Sequence, residues 1–250
     1  MKKIIACLLT GVMALGLVAC SSSAPAAGAG DGAAASGGDT IRIGIFEPST
    51  GDSASGGKKE ILGMQYANSE TPTVEAGGKT YNVELVYADN GSSADKAPSA
   101  ASELVGKDVS LVLGSYGSGV SMAGGPKFEE AGLAAIGVTC TNPNVTAGND
   151  YYFRICFLDN FQADVLANFA IDKFSAKKAY CLGENGNEYD QGLVAFFTQV
   201  FEAAGGEVIS DSFPTNNSDF TSYLTNAAMF NADVFFCPVP VAFVLFLSGE

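Results

Sequence analysis

Histidine is absent from all 250 residues, and this absence excludes several kinds of chemistry. A Ser-His-Asp triad and a Cys-His dyad both need histidine as the base that activates the nucleophile. The six cysteines include no Cys-x-x-Cys pair, so the side chains that most often hold zinc are missing or badly spaced. We therefore expect no metal site and no hydrolytic centre of these types.

Nucleotide-binding loops are also incomplete. Gly51 and Gly56 have the spacing of a phosphate-binding P-loop, but Gly57 stands where that motif needs a lysine. A dinucleotide fingerprint starting at Gly117 fails at Met122, where its last glycine belongs. We consequently expect no cofactor and no enzymatic activity.

Positive charge is scarce, since 13 Lys and Arg face 27 Asp and Glu, for a formal net charge of −14. Such a surface repels polyanions, so nucleic acid and an anionic lipid surface are not expected partners. The balance favours solubility and says little more about function.

The N-terminus lacks an apolar run long enough to span a membrane. Two lysines precede the 15 apolar or small residues from Ile4 to Val18, whereas a spanning helix needs about 20. This pattern predicts a secretory signal peptide over residues 1–20. Its ending, Leu-Val-Ala-Cys20, resembles the lipobox of bacterial lipoproteins, which implies a lipid on Cys20 after cleavage. An ordinary signal peptide with a chance cysteine is the alternative.

Residues 21–38 contain only Ser, Ala, Gly, Pro and one Asp, which predicts a flexible tether. The remaining 39–250 are long enough for one large domain or two lobes. Four cysteines fall in that part: Cys140, Cys156, Cys181 and Cys237. The apolar surroundings of Cys156, Cys181 and Cys237 favour free, buried thiols over disulfides.

From Ile41 onward, short β-rich runs alternate with amphipathic segments in two successive sets. This rhythm predicts an α/β fold with doubly wound parallel sheets covered by helices. The break between the sets, rich in Asn, Gly and aromatic residues, suggests an N-terminal lobe over 39–155 and a C-terminal lobe over 156–250. The helical spacing of Phe161, Val165, Leu166 and Phe169 predicts one helix of the second set.

The end of the sequence is strongly apolar from Val234 to Leu247, and Pro238 and Pro240 interrupt it. With this segment included, the C-terminal lobe has only about three strands, so an apolar face would stay uncovered. We therefore expect a partial C-terminal lobe, and a truncated product that does not bind ligand is one alternative.

Several motifs, in order and spacing, resemble the type I periplasmic-binding-protein fold. The resemblance covers Ile41 to about Cys237 and is strongest to the branched-chain amino-acid (Leu/Ile/Val) class of ABC-transporter substrate-binding proteins. It rests on a set of short segments: Ile41-Arg-Ile-Gly-Ile45 with Ser49-Thr50-Gly51, Val112-Leu-Gly-Ser-Tyr-Gly-Ser-Gly119, Gly137-Val-Thr-Cys-Thr-Asn-Pro143, Tyr152-Phe-Arg154, Tyr189-Asp-Gln-Gly192 and Asp219-Phe220.

The resemblance also implies a ligand site. Residues matching Ser118 and Thr141 hold an α-carboxylate, the one matching Cys140 offers its carbonyl to the ammonium, and the one matching Tyr189 closes over the ligand. Open parallel sheets bind ligands at the carboxyl ends of their strands, which agrees with these positions. Weaker candidates are Gly117, Thr139 and Asp159, and a structural hinge bond is the alternative for Asp159.

One departure from the family pattern concerns the first loop. Gly56 stands where the family commonly has an aromatic residue, so we expect a wider or differently lined pocket.

Together these features predict a lipid-anchored solute-binding protein of an ABC importer on the extracytoplasmic face of the bacterial membrane. Its expected partners are a permease and ATPase complex and an amino-acid-like ligand, captured by hinge closure. A sensory module of the same fold, which presents ligand to a receptor, is the other alternative.

Overall fold

The computed structural model describes residues 39–239, and these belong to one compact unit. The predicted signal peptide, Cys20, the tether over 21–38 and the end of the apolar tail lie outside the described residues. Within 39–239, no helix combines the length and apolar character needed to cross a membrane.

The described residues form nine strands and six α-helices that alternate along the chain. In order they are β1 (Thr40–Glu47), α1 (Ala54–Glu70), β2 (Thr73–Ala76), β3 (Lys79–Asp89), α2 (Ala97–Gly106), β4 (Leu111–Leu113), α3 (Ser118–Glu130), β5 (Ala135–Gly137), a 3-10 turn (Pro143–Val145), β6 (Tyr152–Arg154), α4 (Asp159–Phe174), β7 (Lys178–Glu184), α5 (Glu188–Ala203), β8 (Glu207–Phe213), α6 (Thr221–Phe230) and β9 (Val234–Phe236).

The first sheet has six strands in the order β2-β3-β1-β4-β5-β6. All neighbours in it are parallel except the β2–β3 hairpin. After β1 the chain adds β3 on one side of it, and then crosses to the other side to add β4. A crevice therefore opens at the carboxyl ends of β1 and β4, where such sheets bind ligands.

The second sheet is parallel, with the order β8-β7-β9. Its central strand, β7, leads into α5, whose first turn lies at the carboxyl end of the strand. The prediction of an α/β fold with doubly wound parallel sheets is confirmed. The proposed lobe boundary between residues 155 and 156 stays a prediction.

Each sheet has its own apolar core. In the first, Phe46 and Phe128 meet edge to face with their ring centroids 5.3 Å apart. In the second, Phe197 stacks on Phe201 and on Phe236, at centroid distances of 5.5 and 4.0 Å. The Phe46–Phe128 contact joins β1 to α3, and the Phe197–Phe236 contact joins α5 to β9.

The helix predicted from Phe161, Val165, Leu166 and Phe169 is present as α4. Phe161, Val165 and Phe169 are 60%, 49% and 51% exposed, and the buried apolar residues of the helix are small: Ala163, Ala167 and Ala170. Alanines let α4 pack closely against α5, and bulky side chains on that face would hold the two helices apart. Apolar spacing alone did not reveal this preference for close approach.

The four cysteines of the described residues are free. Cys181 is buried as predicted and Cys140 is also buried, whereas Cys156 and Cys237 are only half-buried.

Candidate functional site

The loop between β4 and α3 places a helix N-terminus at the crevice. Gly117 precedes the first helical residue, Ser118, and has φ = 104°, a conformation that favours glycine. Gly114 has φ = 119°, and a side chain there would collide with the carbonyl oxygen of Phe46. The loop therefore follows β1 closely, and the free N–H groups of α3 offer a favourable end for an anion.

A cavity of about 360 Å³ opens beside this helix start. It is lined by five residues that the sequence resemblance singled out, namely Gly117, Ser118, Thr139, Thr141 and Tyr189, and by others that it missed, including Tyr116, Gln162, Asn187 and Asp190. A neighbouring cavity of about 220 Å³ shares Ser118 and Asn187 with the first. The first sheet, α4 and α5 thus contribute to one crevice.

Three hydroxyl groups at this cavity keep their hydrogens available. Ser118 Oγ accepts a hydrogen bond from Asn142 N at 3.1 Å, and the Tyr189 hydroxyl accepts one from Gln162 Nε2 at 3.1 Å. Thr141 Oγ1 is buried and has no directed hydrogen-bond partner. Ser118 and Tyr189 can therefore donate to a negatively charged group placed between them, and the Thr141 hydroxyl can turn to that group from the nearby Asp159 carboxylate.

Thr139, in contrast, offers hydrogen-bond acceptors to the cavity and no donor. Its hydroxyl donates to a carboxylate oxygen of Glu60 on α1, so it faces the cavity with lone pairs only. Behind it, Glu60 is paired with the buried Glu47 at the end of β1. Burial and the neighbouring Glu60 raise the pKa of Glu47 to about 10, and burial also raises the pKa of Glu60.

Two buried aspartates lie at or near the cavity. Asp190, in the first turn of α5, lines it; one carboxylate oxygen accepts from Glu184 N at 2.9 Å and the other has no partner. Burial raises the pKa of Asp190 to about 7. The carboxylate oxygens of Asp159 are also without directed partners, and burial raises its pKa, opposed by the nearby Thr141 hydroxyl and Arg154.

Asp159 and Cys140 do not line the cavity. The backbone N–H of Asp159 donates to Thr141 O at 3.0 Å, which is the hinge-type bond considered as its alternative role. The carbonyl of Cys140 accepts from Arg154 Nη1 at 3.0 Å. A carbonyl oxygen has two lone pairs, so this bond leaves one acceptor position, and the expected contact between Cys140 and a ligand ammonium stays a prediction.

The expected gap at Gly56 is filled from another loop. A Cβ on Gly56 would lie 2.5 Å from the ring of Tyr116, so the tyrosine ring occupies the space above the glycine. Tyr116 lines both cavities and supplies an aromatic wall. The pocket is therefore lined differently at this point, which is one of the two outcomes expected from Gly56.

The sequence held a signal for two of the missed residues. Glu47 directly follows the buried end of β1, and Asp190 follows Tyr189 within a motif already noted. A charged residue at the end of an apolar strand or in a helix's first turn often faces a crevice. Among the described residues, no group of three or more His, Cys, Asp or Glu could hold a metal ion.

These features are those of an open α/β sheet protein with a cavity at the carboxyl ends of its strands. A family model described as periplasmic binding protein matches residues 40–248, and the chain belongs to that family. The family and its solved neighbours are non-enzymatic solute-binding proteins, in line with the missing catalytic motifs.

Individual relatives narrow the class further. The chain is 30% identical over 196 residues to Leu/Ile/Val-binding protein homolog 3 of Brucella melitensis, covering 78% of this chain and 53% of the relative. The leucine-binding protein LivK of Thermotoga maritima superposes with a TM-score of 0.75 at 32% identity, covering 79% of this chain and 56% of LivK.

Two further solved structures carry ligands. LivJ of Streptococcus pneumoniae, in complex with isoleucine, has a TM-score of 0.72 at 29% identity and covers 80% and 57% of the two chains. A Rhodopseudomonas palustris solute-binding protein in complex with 3,4-dihydroxybenzoic acid has a TM-score of 0.71 at 25% identity, with 81% and 55% covered. The chain spans about half the length of the curated relatives that it matches.

Proposed function

We propose that this protein is the extracytoplasmic solute-binding component of an ABC importer, anchored to the membrane by a lipid on Cys20. The family assignment and the lipobox-like N-terminus support this proposal. The ligand would be an amino acid, captured as the two sheets close on it and then delivered to a permease and ATPase complex. Closure would be driven by contacts that form only when both sides meet the ligand.

The observation that carries the proposal is the set of three hydroxyl groups that can donate a hydrogen bond into the cavity. Ser118 and Thr141 belong to the first-sheet side, and Tyr189 belongs to the start of α5. Together with the N-terminus of α3 at Gly117, they form an environment in which a carboxylate is stabilised from several directions. The ligands named for the solved relatives, isoleucine and dihydroxybenzoic acid, both carry a carboxylate.

The acceptors would bind the other end of the ligand. Thr139 presents lone pairs only, and Asp190 has a free carboxylate oxygen at the cavity. An ammonium group would satisfy both and would also hold Asp190 ionised, since a nearby positive charge lowers a carboxylate pKa. Asp159 would support the same end from beneath Thr141. This separation of donors from acceptors favours an α-amino acid over a simple carboxylate.

Calorimetric titration of the purified chain tests the proposal. Leucine and isoleucine should bind, whereas leucinamide, which lacks the carboxylate, and isovalerate, which lacks the ammonium, should bind much more weakly. Tighter binding of 3,4-dihydroxybenzoate than of leucine would instead favour an aromatic acid as solute. No binding of any of these compounds would contradict the proposal.

Replacing Ser118 by Ala should weaken leucine binding about tenfold or more, because a buried carboxylate oxygen loses a donor that is worth roughly 1–3 kcal/mol. Ser102→Ala is the matched control, since the Ser102 hydroxyl bonds only within α2, to Pro98 O at 2.8 Å. Equal affinities for the two variants would mean that the α3 N-terminus does not hold the carboxylate.

A further inference from the structure

Two cysteines lie on neighbouring segments at the edge of the site. Gly137 of β5 pairs with Arg154 of β6, and the pairing continues as Ile155 N donates to Gly137 O at 3.1 Å. Farther on, Asp159 N donates to Thr141 O at 3.0 Å. Cys140 and Cys156 fall between these two hydrogen bonds. Adjacent parallel chains run about 4.8 Å apart, which suits the spacing that a disulfide needs.

The two thiols contact each other. They share a side-chain hydrogen bond, which together with burial raises the pKa of Cys140. The same bond, helped by the nearby Arg154 guanidinium, lowers the pKa of Cys156 to about 7. The Cys140 sulfur occupies the space that a side chain on Gly137 would need, so the glycine makes room for it. Cys156 is half-buried and so accessible to a small reagent, whereas Cys140 is enclosed.

The loop between the two cysteines is already closed by other bonds. The Arg154 guanidinium donates to Cys140 O, to Asn142 O at 2.9 Å and to Thr146 Oγ1 at 2.8 Å. A covalent link between Cys140 and Cys156 would therefore tie together segments that the fold holds side by side. Little native geometry would be lost in forming it.

The other two cysteines of the described residues provide a contrast. Cys181 pairs in register with Phe236, so Cys237 lies one residue further along β9's extension, and the two pack against cores on opposite faces of the second sheet. Side chains on opposite faces cannot form a disulfide without rearrangement of the strands. Burial raises the pKa of each of these thiols to about 12.

We propose that Cys140 and Cys156 are a redox-sensitive pair whose disulfide ties the loop carrying Thr139 and Thr141 to the segment that enters α4. The Cys156 thiolate attacks a low-molecular-weight disulfide, forms a mixed disulfide and expels one thiolate. Cys140 then loses its proton, attacks the Cys156 sulfur and expels the second thiolate. Two thiols are oxidised and one external disulfide is reduced to two thiols. The oxidising surroundings rest on the proposed extracytoplasmic location.

Peptide mapping after treatment with oxidised glutathione tests the pair. In the unaltered chain, and in the control variant Cys181→Ser, the expected product is one peptide pair linked through Cys140 and Cys156, which dithiothreitol releases. In Cys140→Ser, where the second thiol is missing, Cys156 should instead retain a glutathione adduct. The mapping of the unaltered chain needs no variant to fold.

Two mapping results would overturn the proposal: Cys156 of the unaltered chain carrying glutathione without any link to Cys140, or a link of either cysteine to Cys181 or Cys237. Oxidation should also raise the Tm by roughly 5–10 °C, reversibly, and an unchanged Tm in a chain mapped as linked would contradict the claim that the link fits the native loop. These readouts need no ligand, so a failed leucine titration would overturn the proposed function and leave this test intact.

Discussion

The side of the cavity that belongs to the first sheet is held by hydrogen bonds between segments that are far apart in the chain. The side that belongs to α5 is held mostly by bonds within Glu184–Gln191. On the first side, Asn142 bonds Ser118, Arg154 and the turn that follows, while the Tyr152 hydroxyl donates to Gly114 O at 2.7 Å. On the second side, Asn187 caps α5 and Gln162 bonds Tyr189.

The comparison teaches how one crevice can be both selective and able to close. Groups fixed before the ligand arrives lose little entropy on binding, so the first side can define the position of the carboxylate. A side whose bonds are mostly local can move as a unit with its helix. Asn142 also donates to Glu188 O at 2.8 Å, which links the two sides directly.

The sharpest way to break the first side is to remove Arg154. We expect Arg154→Ala to lower the free energy of unfolding by roughly 3 kcal/mol, because several carbonyl and hydroxyl acceptors lose a charged donor. Arg42→Ala is the matched control, since its ion pair with Glu84 is exposed and worth less than about 1 kcal/mol. Urea denaturation measures both, and equal losses would show that the Arg154 bonds do not stiffen the loop.

The carboxyl pair behind Thr139 makes the first side sensitive to pH. The pKa of folded Glu47, about 10, exceeds its ordinary value of 4.5, so its contribution to stability is present below pH 4.5 and is lost as the pH rises toward 10. Glu60 and Asp190 act in the same direction, because burial raises the pKa of each. We therefore expect the Tm to fall between pH 5 and pH 9.

Glu47→Gln should reduce that fall, because the amide keeps an acceptor for Tyr116 N, 2.7 Å away in the native chain, and carries no titrating proton. The exposed Glu70→Gln serves as control and should leave the pH dependence unchanged. Thermal unfolding across the pH range measures this effect. If the Tm of Glu47→Gln and that of the native chain fell equally with rising pH, the buried protonated pair would be contradicted.

The smallest expected effect concerns the second side. Asn187 Oδ1 accepts from Tyr189 N at 3.1 Å and Asp190 N at 3.3 Å, so it caps the helix that carries both cavity residues. Asn187→Ala should cost about 1 kcal/mol of stability. It should loosen the first turn of α5, which closes over the ligand, and should leave the loop of the first side unchanged. Asn168→Ala, in the exposed middle of α4, is the control. Faster hydrogen exchange in Asn187→Ala, confined to the first turn of α5, would support this interpretation. Equal exchange rates in the two variants would contradict it.

Much of the fold followed from local pattern, and the exceptions have physical causes. Most strands and helices were predictable because apolar runs and helical spacing report burial on one or two faces. The edge strands β2 and β6 were missed, since the exposed Thr73–Ala76 has no apolar alternation and Tyr152–Arg154 is only three residues long. At the site, the motifs located Ser118, Thr141 and Tyr189, but no motif indicated that Tyr116 would cover Gly56.

The sequence by itself determined the family, the α/β alternation and the loops that meet at the crevice, because these depend on residue types at short spacings. Only the tertiary structure decided which hydroxyls keep free hydrogens, that Glu47 meets Glu60, that Cys140 faces Cys156, and that α4 buries its alanines. Each of those outcomes depends on a contact between residues far apart in the chain or on the space left by a neighbour. Such contacts arise from packing, and residue types at short spacings do not predict them.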